Sequence, residues 1–138
     1  MVKSIIKGSQ EYFPNINKIE YEGPRSSNPL AFKFYNEDQI VSGKPMREHF
    51  RFSVAYWHTF CGTGGDPFGP GTKEFPWDQS SDPMQASFDR LDAAFEFITK
   101  LGAPFYCFHD RDIAPEGSSV EESEINLKAL VQVAKQNQ

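Results

Sequence analysis

The sequence has no basic run, hardly any cysteine and no long apolar stretch, and each of these lacks removes a class of function. Its 14 Lys and Arg are outnumbered by 19 Asp and Glu, leave a net charge of -5 and never cluster, so a nucleic-acid backbone is excluded as a partner. No segment approaches the roughly 20 apolar residues that span a bilayer, and the Ile5-Ile6 pair is too short for the apolar core of a secretion signal. A cytoplasmic chain with no membrane partner is expected. The 2 cysteines, Cys61 and Cys107, stand far apart with no second Cys or His at metal-ligand spacing, so we expect free, mostly buried thiols and no zinc site. What the chain does have is apolar and aromatic content, 38% and 14% of its 138 residues. That suits one globular unit burying about two-thirds of its unfolded surface.

Along the chain, an irregular arm precedes two similar units. Residues 1–49 carry turn material (Gly23, Pro24, Ser26, Ser27, Asn28, Pro29) around short aromatic pieces such as AFKFY, with no sustained period. We expect them to wrap something. FRFSVAYWH, residues 50–58, has strand composition, with Phe52, Val54 and Tyr56 on one face and Ser53, Ala55 and Trp57 on the other. After the loop CGTGGDPFGPGTK, Asp82 is positioned to cap a helix, Pro83 suits its first position and Gln85 completes a capping-box pattern. Phe88, Leu91, Phe95 and Ile98 recur at helical spacing until Gly102 and Pro104 stop it.

The same order then repeats. PFYCFH, residues 104–109, reads as a strand. Ser118 or Ser119 caps a second helix whose acidic first turns (Glu121, Glu122, Glu124) suit the helix dipole, with Val120, Leu127, Leu130, Val131 and Ala134 on one face. Strand, loop and helix, twice over, is the pattern of a parallel sheet covered by helices. Such a sheet cannot stop at two strands, and a closed (β/α)8 barrel needs about 250 residues. The expected fold is therefore α/β: an arm over residues 1–49, then over 50–138 the first two strand–helix units of a TIM barrel that is incomplete in this chain.

In such barrels the chemistry sits at the C-terminal ends of the strands. His109 ends the second strand and Trp57 lies at the matching end of the first. Spacing alone fits a packed histidine with one backbone partner. It also fits an acid/base group, since Asp112, three residues on, can hold one ring nitrogen and leave the other for a substrate oxygen. His58 should point away from the axis as a structural residue, and His49 belongs to the arm or surface. The glycine-rich loop lacks the GK[ST] of a phosphate-binding loop. The acidic stretch of Asp110, Asp112, Glu116, Glu121, Glu122 and Glu124 is read as a solvated helix start, because hard metals need oxygens converging on one point.

YWHTF, GGDPFG and FHDRDIAPEG, in that order behind PRSSNPLAFKFY, closely resemble the N-terminal third of xylose isomerases of the longer class, from residue 11 to the end. The resemblance implies a TIM barrel, usually a homotetramer. It binds two divalent metals, Mg2+ or alternatively Mn2+ or Co2+, and interconverts aldoses and ketoses (xylose, glucose) by ring opening and a hydride shift. By motif, His109 resembles the histidine at the sugar ring oxygens and Asp112 its orienting carboxylate. Trp57 resembles the aromatic wall of the sugar site, and Phe68 the phenylalanine inserted into a neighbouring subunit's site. The family's metal ligands and active-site lysine belong to later strands, so a complementary C-terminal segment would have to supply them and the chain alone should be inactive. A non-catalytic barrel fragment serving assembly stays open beside this reading.

Overall fold

The computed structural model describes residues 5–138; the first four residues of the arm lie outside the described residues. In chain order it holds β1 (Ile40–Val41), β2 (Lys44–Pro45), α1 (Met46–His49), β3 (Ser53–Ala55), a π-helical turn (Trp57–Cys61), α2 (Pro83–Leu101), β4 (Phe105–Cys107), α3 (Asp110–Ile113) and α4 (Val120–Gln136). From β3 onward this is the strand–helix order read from the sequence. β3 pairs with β4 in parallel, Ser53 opposite Phe105 and Ala55 opposite Cys107, with α2 as the crossover.

α2 begins where its capping chemistry puts it. Asp82 Oδ1 accepts from the Met84 N–H at 2.9 Å, and Pro83 fills the first position, where no intrahelical donor is needed. The capping box does not close. Gln85 donates instead to Asp89 one turn on, at 2.8 Å, and the Asp82 N–H goes to Ser80 Oγ at 3.2 Å. Gly102 ends the helix in the left-handed region, φ 78°, where a side chain would be strained. α4 is capped by Ser119, which accepts from the Glu122 N–H at 3.2 Å.

Leu91, Phe95 and Ile98 of α2 meet Leu130 and Ala134 of α4 in one core with Val54, Tyr56 and Phe60. The face read for α4 is partly corrected: Val120, in its first turn, stays 72% exposed, because that turn reaches past the core. Both strands are shorter than expected. Tyr56 already adopts helical angles, φ -58° and ψ -45°, so that Tyr56 and Phe60 both enter the core, their rings 5.1 Å apart. Phe52, expected beside Val54 and Tyr56, is instead half exposed and packs edge-on against Tyr35 of the arm at 5.1 Å.

The two faces of the strand pair differ sharply. Val54 and Tyr56 face the helices, whereas Ser53, Phe105 and Cys107 are exposed. The thiols are free, as expected, but not buried: Cys61 is half-buried and Cys107 exposed, because Cys107 lies on that open face. Among the described residues no helix is long and apolar enough to cross a membrane.

The arm wraps α2. Tyr12 and Phe13 N–H groups donate to the Glu96 carboxylate at 2.7 and 3.0 Å, and Ile19 N–H donates to the Lys100 carbonyl at 2.7 Å. Lys100 Nζ, nearly buried, reaches Glu96 Oε1, Glu11 Oε1 and the Phe13 carbonyl at 2.7, 2.9 and 2.6 Å. Farther on, the arm makes a tight β1–β2 hairpin with positive φ at Ser42 (49°) and Gly43 (80°), as its two-residue turn requires.

Burial raises the Glu96 carboxyl, but Lys100 and the two arm N–H groups outweigh it and hold it below the usual range; burial lowers Lys100, and the carboxylates of Glu96 and Glu11 outweigh that and raise it. A carboxylate bound more tightly in the folded state stabilises it above its unfolded pKa and loses that contribution as acid protonates it. A raised lysine contributes below its unfolded pKa and loses that contribution in strong base. The arm's anchor is therefore strongest between the ordinary carboxylate and lysine pKa values. Glu96→Gln leaves Lys100 buried with a weaker partner and should cost roughly 3–5 kcal/mol. In urea melts near neutral pH the variant should unfold earlier, with a gap that narrows in acid; equal midpoints would contradict the anchor.

Candidate active site

The site is assembled where the two parallel strands end. Trp57 follows Ala55 by two residues and His109 follows Cys107 by two, and Ala55 pairs with Cys107. Equal offsets from paired residues bring the two side chains level. Their rings lie 4.6 Å apart, tilted by 41°. The sequence placed Trp57 on the strand itself; it opens the π turn instead, and the contact with His109 forms all the same.

His109 has extended angles, φ -95° and ψ 159°, immediately before α3. Its backbone N–H donates to Asp112 Oδ2 at 2.7 Å, and its ring Nδ1 lies 2.8 Å from the same oxygen. A carboxylate accepts from Nδ1–H, which leaves Nε2 of the neutral ring as the free acceptor. The ring is 65% exposed while the Asp112 carboxylate is 16% exposed, so the pair has a sheltered anchor and an open working end.

Asp112 is in turn held from behind. Its carbonyl accepts from Arg90 Nη1 of α2 at 3.3 Å and from Cys61 Sγ of the π turn at 3.5 Å. Asp78 Oδ1 grips Arg90 through Nη2 at 2.6 Å and Nε at 3.2 Å. Burial pushes the Cys61 thiol above its ordinary value, which keeps it protonated as a donor. Tyr56 Oη, buried without a hydrogen-bond partner among the described residues, is pushed up by burial as well. Sequence reasoning missed Arg90, Asp78 and Cys61, for no short-range spacing links them to His109.

The glycine-rich loop between the π turn and α2 is pinned at one end and open at its tip. Trp77 Nε1 donates to the Phe60 carbonyl at 3.0 Å, and Phe75 stacks on Trp77 at 4.7 Å. At the tip, Asp66 Oδ1 accepts from the Phe68 and Gly69 N–H groups at 2.9 and 3.1 Å. This tight turn presents Phe68 almost wholly, 97% exposed. Phe68 thus stands apart from the Trp57–His109 contact within this chain. His58 is exposed, and His49, also exposed, bonds the Val41 carbonyl in the arm through Nε2 at 2.9 Å.

A cavity of about 930 Å3 lies at the other end of the strands, between the arm (Tyr21, Phe32, Tyr35) and Ser53 and Phe105. It contains neither Trp57 nor His109. Among the described residues no three His, Cys, Asp or Glu side chains converge as metal ligands, so the acidic stretch does not fit a divalent cation.

The arrangement offers an imidazole with a fixed proton, an aromatic wall beside it and no electrophilic centre of its own. That suits taking a proton from one oxygen of a bound molecule and giving it to another, with other groups needed to polarise the molecule. No protein-family model matches the chain. It is 60% identical over 125 residues to the xylose isomerase of Caldanaerobacter subterraneus subsp. yonseiensis, 58% over 125 residues to that of Thermoanaerobacter sp. (strain X514), and 54% over 138 residues to xylose isomerase 1 of Xanthomonas campestris pv. campestris. These matches cover 91–100% of the chain and 28–31% of the relatives. The chain is thus homologous to xylose isomerases and spans less than a third of their length.

Proposed function

We propose, from this chain's homology to the xylose isomerases, that residues 50–138 are the first two strand–helix units of a (β/α)8 barrel and carry its sugar-opening residues. The reaction is interconversion of an aldose and a ketose, D-xylose with D-xylulose and also glucose with fructose, in a cytoplasmic homotetramer. The remaining strands come from a complementary C-terminal segment. The observation that carries this reading is the His109–Asp112 pair, 2.8 Å between Nδ1 and Oδ2, set against Trp57 where two parallel strands end.

The first step follows from the free Nε2. In a cyclic sugar the anomeric hydroxyl gives its proton to His109 Nε2, the C1–O5 bond breaks as the C1 carbonyl forms, and the proton passes to O5. His109 ends as it began. Asp112 stabilises the imidazolium between the two transfers by accepting from Nδ1–H, as buried carboxylates do behind catalytic histidines. Trp57 packs the C–H face of the sugar and keeps water from the ring oxygen. Two divalent cations, Mg2+ or alternatively Mn2+ or Co2+, would supply positive charge for the later hydride shift; the described residues do not fit them, and their ligands belong to the rest of the barrel. Phe68, projected on its Asp66-braced turn, reaches into the sugar site of the adjacent subunit.

In the complete enzyme, His109→Asn should slow turnover of a cyclic sugar by about 10²–10⁴. On an aldose derivative without free hydroxyls on C4 and C5, which cannot close a ring, it should keep most of its activity. An equal defect on both would show that His109 serves the hydride shift or the fold.

Phe68→Ala should lower turnover without changing the melting of the tetramer. In mixed tetramers with His109→Asn subunits, the Phe68→Ala defect should appear in the neighbouring site. A defect confined to the mutated subunit's own site would contradict insertion across subunits.

A further inference from the structure

We infer that Arg90 is the positioning residue of the acid/base pair: gripped by Asp78, it fixes the Asp112 backbone, and through it the orientation of the His109 ring. The inference rests on the reading of His109 and Asp112 as the sugar-opening pair. Its starting point is a weakness in α3. The helix has four residues, and the chain is extended again at Ala114, φ -129° and ψ 145°. The Asp112 carbonyl therefore has no helical N–H to receive, and a short helix of this kind does not hold its own geometry.

That carbonyl takes its donors from elsewhere. Arg90 Nη1 reaches it at 3.3 Å and Cys61 Sγ at 3.5 Å. The thiol is a weak donor; the guanidinium is charged and stronger. Arg90 stands on the third turn of the long crossover helix, its side chain 20% exposed. Asp78 takes two of its N–H groups on one carboxylate oxygen, at 2.6 and 3.2 Å, which fixes the fork and leaves Nη1 for Asp112.

The consequence reaches the ring because one carboxylate oxygen holds both the backbone and the ring of His109. Asp112 Oδ2 accepts from both the backbone N–H and Nδ1 of His109, at 2.7 and 2.8 Å. A small displacement of the Asp112 backbone moves that oxygen, and the ring turns with it. Since a misplacement of about 1 Å can cost about a hundredfold in rate, a residue that never meets the sugar controls the ring-opening step.

The test uses the complete enzyme. Arg90→Met should lower turnover of a cyclic sugar by roughly tenfold to a hundredfold, with KM and the turnover of the non-cyclising aldose unchanged. In its 15N spectrum the Nδ1–H signal of His109 should broaden or shift. Arg90→Lys should restore part of the rate, because an ammonium keeps the charge but cannot serve Asp78 and Asp112 with the same fork. Equal losses on both substrates, or no loss, would overturn the inference. Should Arg90→Met not fold, Asp78→Asn, which frees the fork without removing it, should show a smaller loss with the same substrate selectivity; absence of that selectivity overturns the inference equally. His109→Asn measured alongside separates the two readings. If it too lacks the ring-selective defect, the sugar-opening assignment fails; if it shows the defect and the Arg90 and Asp78 variants do not, only the positioning role fails.

Discussion

Parallel pairing of β3 with β4 is the constraint from which the site follows. With Ala55 opposite Cys107, the chain leaves both strands at the same level, and the second residue beyond each, Trp57 and His109, must come together. A slip of one residue would turn one of the two side chains to the opposite face and separate the rings. The register is secured on one side only: Val54, Tyr56 and Tyr106 carry it into the core under α2 and α4, while Ser53, Phe105 and Cys107 form an open face. That asymmetry is what two strands of a larger parallel sheet show when its other strands are elsewhere.

A second set of contacts works at the other side of α2. Glu96 and Lys100, one turn apart and nearly free of solvent, bind the arm through its backbone. A buried ion pair is costly unless its remaining hydrogen-bonding capacity is filled, and here the Tyr12 and Phe13 backbone, with Glu11, fills it. One helix thus serves three tasks: it crosses between the strands, anchors the arm, and through Arg90 holds the Asp112 carbonyl of α3. The first part of the arm, as far as Ile19, reads as irregular because its order is borrowed from α2.

Where local chemistry decides, the sequence was informative. The Asp82 cap, Pro83 and Gly102 delimited α2, and the repeated strand–helix order indicated parallel pairing before any partner could be seen. Homology to xylose isomerases was legible from three motifs, and the 54–60% identities agree with it. The ends of the strands were not legible. Tyr56 belongs equally to an alternating strand and to a turn that buries Tyr56 with Phe60, and only packing against Trp77 and the helices selects the turn. The Gln85 capping box failed because Asp89 and Ser80 offered competing partners. Arg90 was invisible because its role depends on where α3 ends, and nothing in its own surroundings along the chain marks it.

The central claim is that the free nitrogen of His109 addresses the ring oxygens of a closed sugar while Asp112 holds the other nitrogen. The most direct measurement is 15N NMR of the His109 ring in the complete protein, titrated with a cyclic sugar that lacks the anomeric hydroxyl and cannot open. The account predicts that the Nε2 resonance moves as the sugar saturates, and that the Nδ1–H signal keeps its position because its partner is unchanged. A saturated site with an unmoved Nε2 resonance, or a proton found on Nε2 and absent from Nδ1, would contradict it.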